Sequence, residues 1–136
     1  MRTRIENVTL VTTDEANHLY PQGCLVIEDD TILALNDFDL EVDEVIDGKQ
    51  GLLLPGMVNT HCHLGMIPFR SLGDDCPDRL RRFLFPLENA AMTRGLAQAS
   101  ARYAAAEMML GGVTTVLDMY YFEDALAEAM IEMNMR

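Results

Sequence analysis

Two histidines one residue apart, His61 and His63, have the spacing of a metal-binding pair. In a β-strand, residues i and i+2 point to the same face, so both imidazoles can reach one ion while Cys62 points the opposite way. Neutral imidazoles are good ligands for Zn²⁺ and Fe²⁺. A bare pair of this kind also arises easily by chance, and two polar residues at a strand end are the alternative interpretation.

The position of the pair favours metal binding. Residues 52–63 contain an apolar run bounded by proline and glycine, which predicts a buried strand of a parallel sheet that ends at the histidines. In α/β folds, ligands and catalytic groups gather at the carboxyl ends of such strands. Residues 113–119 predict a second strand of this type, with Asp118 near its end. Asp118 can face the same site or accept hydrogen bonds from loop amides, and we expect the second role.

Helices are predicted between and after these two strands. A short helix over residues 79–85 is expected to end at Pro86. Thr93 can cap a longer helix that runs to about residue 110, and Asp124 opens a last helix. Strands that alternate with helices predict an α/β fold. Helical spacing predicts the inner faces of the two long helices, Leu96, Ala99, Tyr103, Ala106, Met109 and Leu110 in the first and Leu126, Ala129, Met130 and Met133 in the second.

The first 54 residues have the pattern of a small β domain. Short β-rich runs at residues 5–12, 24–28, 31–35 and 41–47 predict four strands, and residues 20–23 have turn chemistry. Four such strands make a meander or half of a sandwich. We therefore expect a small β domain over residues 1–54 and an α/β domain over residues 55–136.

Composition argues against several classes of protein. The 136 residues carry a formal net charge of −12, so neither nucleic acid nor an anionic membrane is expected as a partner. No apolar run approaches the roughly 18 residues of a membrane span, and the N-terminus lacks the apolar core of a secretory signal. Three irregularly spaced cysteines do not form a disulfide framework, which predicts a reduced, cytoplasmic setting. Cys24 and Cys76 are expected to be buried or half-buried.

The two strand segments resemble those of a known family. Residues 54–63, Leu-Pro-Gly-Met-Val-Asn-Thr-His-Cys-His, resemble the first barrel strand of the amidohydrolase superfamily, and residues 46–48 match its usual lead-in. Residues 111–119 resemble the second barrel strand. Asn59 stands where dihydroorotase-like members usually have aspartate, which favours the cytosine-deaminase-like branch. That branch includes S-adenosylhomocysteine/5′-methylthioadenosine deaminases, guanine deaminase and triazine chlorohydrolases.

The resemblance implies a fold and a metal site. Residues 55–136 would supply the first two β/α units of a (β/α)₈ barrel, and residues 1–54 the N-terminal part of a β-sandwich-type domain. A closed barrel takes about 250 residues, so the chain is incomplete as a barrel. His61 and His63 would bind one divalent metal, with zinc favoured and iron as the alternative. The other ligands and the general acid/base would come from the remainder of the polypeptide, so no catalytic residue is assigned within this chain.

The activity implied by the resemblance is hydrolytic deamination of a purine, nucleoside or related N-heterocycle through a metal-activated water. Hydrolytic dechlorination, or other C–N cleavage of a heterocycle by the same site, is the alternative enzyme class. An inactive truncated fragment is the non-enzyme alternative, and the 136 residues alone are expected to be inactive. The expected partners are a small heterocyclic substrate and the rest of the polypeptide, with a homo-oligomer left open.

Glu88 is the candidate substrate-binding residue. Residues 70–75 and 85–88 resemble a segment of the adenosine-derivative deaminases in which the equivalent glutamate binds the ribose, although the tryptophan that many members carry is missing. The alternative is a solvent-facing carboxylate at a helix start. The remaining charged candidates are expected to lie in solvent, as an exposed turn residue at His18 and as a solvated helix face at Arg79, Arg81 and Arg82.

Overall fold

The computed structural model describes residues 1–136, which form two compact units, Met1–Pro55 and Gly56–Arg136. The first unit contains strands alone, and the second combines two strands with helices. The α/β class expected from the alternation of strands and helices is confirmed in the second unit.

The first unit is a four-stranded sheet. Its strands are β1 (Arg2–Val11), β2 (Leu19–Glu28), β3 (Thr31–Leu35) and β4 (Glu44–Leu53), in the order β3-β2-β1-β4. β1 pairs antiparallel with β2, and β2 pairs antiparallel with β3. β4 instead pairs parallel with β1, so the sheet is not the meander that was one of the two expected arrangements.

The predicted turn around Pro21 is wrong, because this segment lies inside β2. Between the pairs Val8–Gly23 and Leu10–Tyr20, β2 has one more residue than β1. An extra residue of this kind forms a bulge, where the ladder does not require a hydrogen bond from every residue. A proline without an N–H is therefore tolerated at this position.

Strand β4 runs past its predicted end at Gly48. Lys49 and Gln50 have φ values of 53° and 61°, and the pairing with β1 is irregular beside them. The strand then resumes, and Leu52 and Leu53 pair with β1. These two leucines belong to the first unit's sheet, and the strand that leads to the histidines begins only later, at Met57.

The second unit is built on two parallel strands. They end level with each other, since Cys62 at the end of one strand pairs with Asp118 at the end of the other. The segments in chain order are β5 (Met57–Cys62), a 3₁₀-helix (Leu64–Phe69), a π-helical turn (Leu80–Leu84), α1 (Phe85–Ala91), α2 (Arg94–Leu110), β6 (Val113–Asp118) and α3 (Glu123–Glu132).

Pro86 begins a helix where it was expected to end one. The predicted helix over residues 79–85 is a π-helical turn that continues directly into α1, and Pro86 lies in the first turn of α1. Proline is favoured in the first turn of a helix, because its fixed φ angle suits that position.

The ends of α2 are as predicted, but its buried face is not. The Thr93 hydroxyl accepts a hydrogen bond from the Leu96 N–H at 3.2 Å, which confirms the N-cap. Tyr103 and Leu110, expected inside, are 61% and 92% exposed. Small side chains let α2 approach the 3₁₀-helix and α3 closely, so a face of small residues packs inside: Ala97, Ser100, Ala101, Ala104 and Ala105.

Helix α3 completes the core of the second unit. Leu126, Ala129 and Met130 are buried as predicted, and Met133 is half-buried against the same core. Cys62 and Leu64 pack in this core as well, so the residues on either side of His63 are anchored by apolar burial. No helix of the structure has the length and apolar character needed to cross a membrane.

Residues 1–136 expressed alone should self-associate or fold poorly. Val58 on β5 and Leu117 on β6 are 59% and 67% exposed, whereas strands of parallel sheets normally bury both faces. Sedimentation and thermal unfolding of the isolated chain would test this. Val58→Thr combined with Leu117→Thr should reduce the association. A wild-type chain that is monomeric and unfolds in a sharp, cooperative transition would refute the expectation.

Candidate functional site

The two histidines lie at the carboxyl end of β5, on the face opposite to Cys62. The Cys62 side chain is buried, and its Sγ lies 3.5 Å from the Leu117 carbonyl oxygen. His61 is exposed and His63 is half-buried. Their ring centroids are 5.1 Å apart with the planes at 74°, so the two imidazoles lie side by side at the strand end.

Hydrogen bonds hold the ring of His63 and the backbone of His61. The Nδ1 atom of His63 lies 2.7 Å from the Met119 carbonyl oxygen. A carbonyl can only accept, so Nδ1 carries the proton and the Nε2 lone pair is free. The Asn59 side-chain oxygen accepts a hydrogen bond from the His61 backbone N–H at 3.2 Å.

This donor set fits part of a zinc or iron site. A metal-binding histidine usually donates its second ring N–H to a carbonyl or carboxylate, as His63 does to Met119. Catalytic zinc sites normally have three protein ligands. The chain holds no group of three or more His, Cys, Asp or Glu side chains placed around one ion, so it supplies two ligands at most from this pair.

Asp118 fastens the loop that follows His63. Its Oδ1 accepts a hydrogen bond from the Leu64 backbone N–H at 2.8 Å, which confirms the expected role with loop amides. Its second oxygen, Oδ2, is buried without a hydrogen-bond partner. Burial, followed by the nearby Asp118 carboxylate, raises the pKa of the Cys62 thiol to about 12. Cys62 is therefore a neutral core residue.

Glu88 is buried, with 3% of its surface exposed, so the solvent-facing alternative is wrong. The Tyr120 hydroxyl donates a hydrogen bond to Glu88 Oε1 at 2.7 Å. Burial and, secondarily, this contact raise the pKa of the Tyr120 phenol above its usual range, so the hydroxyl stays protonated and keeps donating. A buried carboxylate with one oxygen hydrogen-bonded is suited to orient a polar ligand.

One pocket of about 400 Å³ joins Glu88 to His63. Its walls are mainly apolar and aromatic, and its polar groups are few, which is the usual character of a small-molecule site. The lining residues are His63, Met66, Leu80, Phe85, Glu88, Met119, Tyr120 and Tyr121.

The other charged candidates lie away from this pocket. Arg81 and Arg82 are exposed, as expected. Arg79 is half-buried, donates to the Leu72 carbonyl oxygen at 2.7 Å and lies 3.3 Å from the Asp74 carboxylate.

His18 and the two remaining cysteines are also as expected. His18 is exposed, and its ring nitrogen lies 2.7 Å from the Asp14 carboxylate. Cys24 is buried and Cys76 is half-buried, both as free thiols.

Replacing Asp118 by alanine should lower the free energy of unfolding by about 1–3 kcal/mol, because the N–H of the buried Leu64 loses its acceptor. Asp118→Asn keeps an acceptor oxygen and should be closer to wild type. Urea unfolding of the full-length protein would measure both variants. Equal stability of Asp118→Ala and wild type would show that this hydrogen bond does not hold the loop.

The sequence reasoning missed Met119 and Tyr120. Both follow the strand-end residue Asp118, and loops after parallel strands carry functional groups in α/β folds. That position was the available signal. The contacts themselves join residues 56 and 32 positions apart, His63 with Met119 and Glu88 with Tyr120, so local pattern could not reveal them.

Comparisons with known proteins identify the family. Residues 52–136 match the model of the amidohydrolase family. A 5-methylthioadenosine/S-adenosylhomocysteine deaminase of Thermoanaerobacter pseudethanolicus is 36% identical over 140 residues, which cover 100% of this chain and 32% of the relative. The chain thus spans about a third of the length of the curated relatives it matches.

Solved structures share the fold. An adenosine deaminase of Xanthomonas campestris with bound zinc has a TM-score of 0.88 at 24% identity, covering 98% of this chain and 32% of that one. The atrazine chlorohydrolase of Arthrobacter aurescens TC1 in complex with zinc has a TM-score of 0.82 at 24% identity, covering 98% and 34%. Because the family model matches more than half of the residues of this chain, the chain belongs to the amidohydrolase family.

Proposed function

We propose that this chain is the N-terminal part of a metal-dependent hydrolase that deaminates a purine, nucleoside or related N-heterocycle. The observation that carries the proposal is the histidine pair at the end of β5, in which the Met119 carbonyl leaves Nε2 of His63 free. The deaminase names of the full-length relatives support the reaction class. Small heterocycles are accordingly the proposed substrates.

The proposed architecture follows from the order of the segments. Residues 55–136 would form the first two β/α units of a (β/α)₈ barrel, because β5 and β6 are adjacent, parallel and joined through a helix. Residues 1–54 would form the N-terminal part of a β-sandwich-type domain. The TM-scores of 0.88 and 0.82 with a deaminase and a chlorohydrolase support this arrangement.

His61 and His63 would hold one divalent metal, with zinc as the first choice. Zinc in the two solved structures supports this choice, and neutral imidazoles suit the ion. A metal bound there supplies a Lewis acid and lowers the pKa of a water molecule towards about 7. Within this chain, Met119 orients the ring of His63, Asn59 binds the backbone of His61, and Cys62 anchors the strand end in the core.

Glu88 would bind the substrate, and its place in the pocket beside His63 supports this role. A carboxylate accepts two hydrogen bonds from a vicinal diol, as found in a ribose. The apolar walls, including Met66, Leu80 and Phe85, would pack on the less polar parts of a nucleoside and exclude water.

Hydrolytic dechlorination of a heterocycle is the second candidate, supported by the likeness to the atrazine chlorohydrolase. The buried carboxylate in the pocket favours deamination of a hydroxyl-bearing substrate over an apolar triazine.

The test is to measure ammonia and chloride released by the full-length protein from 5′-methylthioadenosine, guanine and a chlorinated triazine. Ammonia from the purines is expected, with the nucleoside preferred. Chloride release from the triazine alone would replace the deaminase proposal with the second candidate. Neither product from any of the three substrates would refute both.

A further inference from the structure

Tyr120 lies between the two groups that define the proposed site. Its hydroxyl donates to Glu88 Oε1 at 2.7 Å, and its ring centroid lies 6.2 Å from that of His63. The residue before it, Met119, provides the carbonyl that orients His63. The loop segment 119–120 therefore contacts both the histidine and the carboxylate.

The position of Tyr120 is itself fixed by its neighbours. Its backbone N–H donates to the Glu123 carboxylate. Its ring covers Gly65, where an added Cβ would come within 2.3 Å of a ring carbon, so the close approach depends on glycine. Tyr121 packs edge-on against the same ring at a centroid distance of 5.1 Å. These contacts fix the ring of Tyr120, and the position of its hydroxyl follows from that of the ring.

The Glu88 carboxylate has no comparable support of its own. The hydrogen bond from Tyr120 is the one that its side chain makes within the chain, and it occupies Oε1. Glu88 also lines the pocket, so its second oxygen is left for a ligand. A flexible glutamate that is held in one orientation binds with a smaller loss of conformational freedom.

We propose that Tyr120 is a positioning residue, which holds the Glu88 carboxylate in one orientation at a fixed separation from His63. The inference rests on the proposed role of Glu88 in binding substrate hydroxyls. Tyr120 itself need not touch the substrate. Its contribution would be to set where the hydroxyls bind relative to the histidine pair.

The test uses Tyr120→Phe in the full-length protein, with adenosine and 2′,3′-dideoxyadenosine as substrates. Loss of the hydrogen bond that Tyr120 donates to the charged carboxylate should raise KM for adenosine by about 10-fold or more, with kcat nearly unchanged. KM for the dideoxynucleoside, which lacks the 2′- and 3′-hydroxyls of the diol, should not change. Tyr103→Phe, the same change on an exposed side chain of α2, is the matched control.

The second part of the test combines Tyr120→Phe with Glu88→Ala. In that background Tyr120→Phe should have no further effect on KM for adenosine, because the carboxylate that it positions is gone. An equal rise in KM for both nucleosides, or the full effect of Tyr120→Phe in the Glu88→Ala background, would assign Tyr120 a general structural role and overturn the inference.

Different measurements would show that the proposed function itself is wrong. It would appear as an absence of ammonia release by the wild type, or as equal effects of Glu88→Ala on both nucleosides. A crystal structure of Tyr120→Phe then still decides the positioning role. The Glu88 carboxylate is expected to rotate away from its present orientation, and an unmoved carboxylate would overturn the inference whatever the substrate.

Discussion

Full-length protein in which His61 and His63 are both alanine should lose its bound metal and its deaminase activity. Both side chains lie at the end of β5, and His63 is oriented with Nε2 free. Removing an outer partner of a metal ligand already costs about 10- to 100-fold in activity or metal affinity, so removing two ligands should cost more. Elemental analysis and ammonia release measure the two effects on the same sample.

The fold should survive this double change, because neither imidazole belongs to the buried core of the second unit. Circular dichroism should therefore match the wild type. His18→Ala is the matched control, since His18 is exposed in the first unit and should be dispensable for metal content and activity. Full metal occupancy in the double variant would rule out His61 and His63 as ligands.

Glu88→Gln should raise KM for 5′-methylthioadenosine by about 10- to 100-fold, because hydrogen bonds to a charged group contribute about 1.5–3 kcal/mol each. Glutamine fits the same space and retains an acceptor for Tyr120, so the change mainly removes the charge. KM for adenine, which lacks the ribose, should change little. Steady-state kinetics with both compounds measures the difference.

Glu132→Gln is the control for this variant. Glu132 is exposed on α3, where it pairs with Arg102, and the same change there should leave both KM values unaltered. If Glu88→Gln instead raised KM equally for 5′-methylthioadenosine and for adenine, the result would show that Glu88 does not bind the ribose.

The arrangement of the histidine pair could be predicted from sequence, because it depends only on neighbouring residues of one strand. Alternation along a strand puts His61 and His63 on one face and Cys62 on the other, and the structure has this arrangement. Helix α2 was bounded correctly for a similar reason, since Thr93 and Gly111 act on the adjacent turn.

The buried face of α2 could not be predicted from the size of its apolar residues. Helical spacing alone favours the face with Leu96, Tyr103 and Leu110. The packing partners select the opposite choice, because closely approaching segments accommodate alanine and serine there. Which of two apolar faces packs inside is decided by tertiary contacts, and a single helix sequence does not contain them.

The burial of Glu88 depends on contacts that sequence does not show. As a helix-start carboxylate it could equally face solvent, and the partner that holds it, Tyr120, lies 32 residues away. The parallel pairing of β4 with β1 is a similar case, because the sequence of a strand does not specify which strand it will pair with. Long-range partners of this kind separate the predicted features from the missed ones.

Metal-dependent deamination is tested most directly by one reconstitution measurement on the full-length protein. Zinc content and ammonia release from 5′-methylthioadenosine are followed together through removal of metal by a chelator and its stepwise return. The proposed function predicts about one zinc per chain, loss of ammonia release with the metal, and recovery that saturates near one equivalent. Undiminished ammonia release from protein that holds no metal would contradict it.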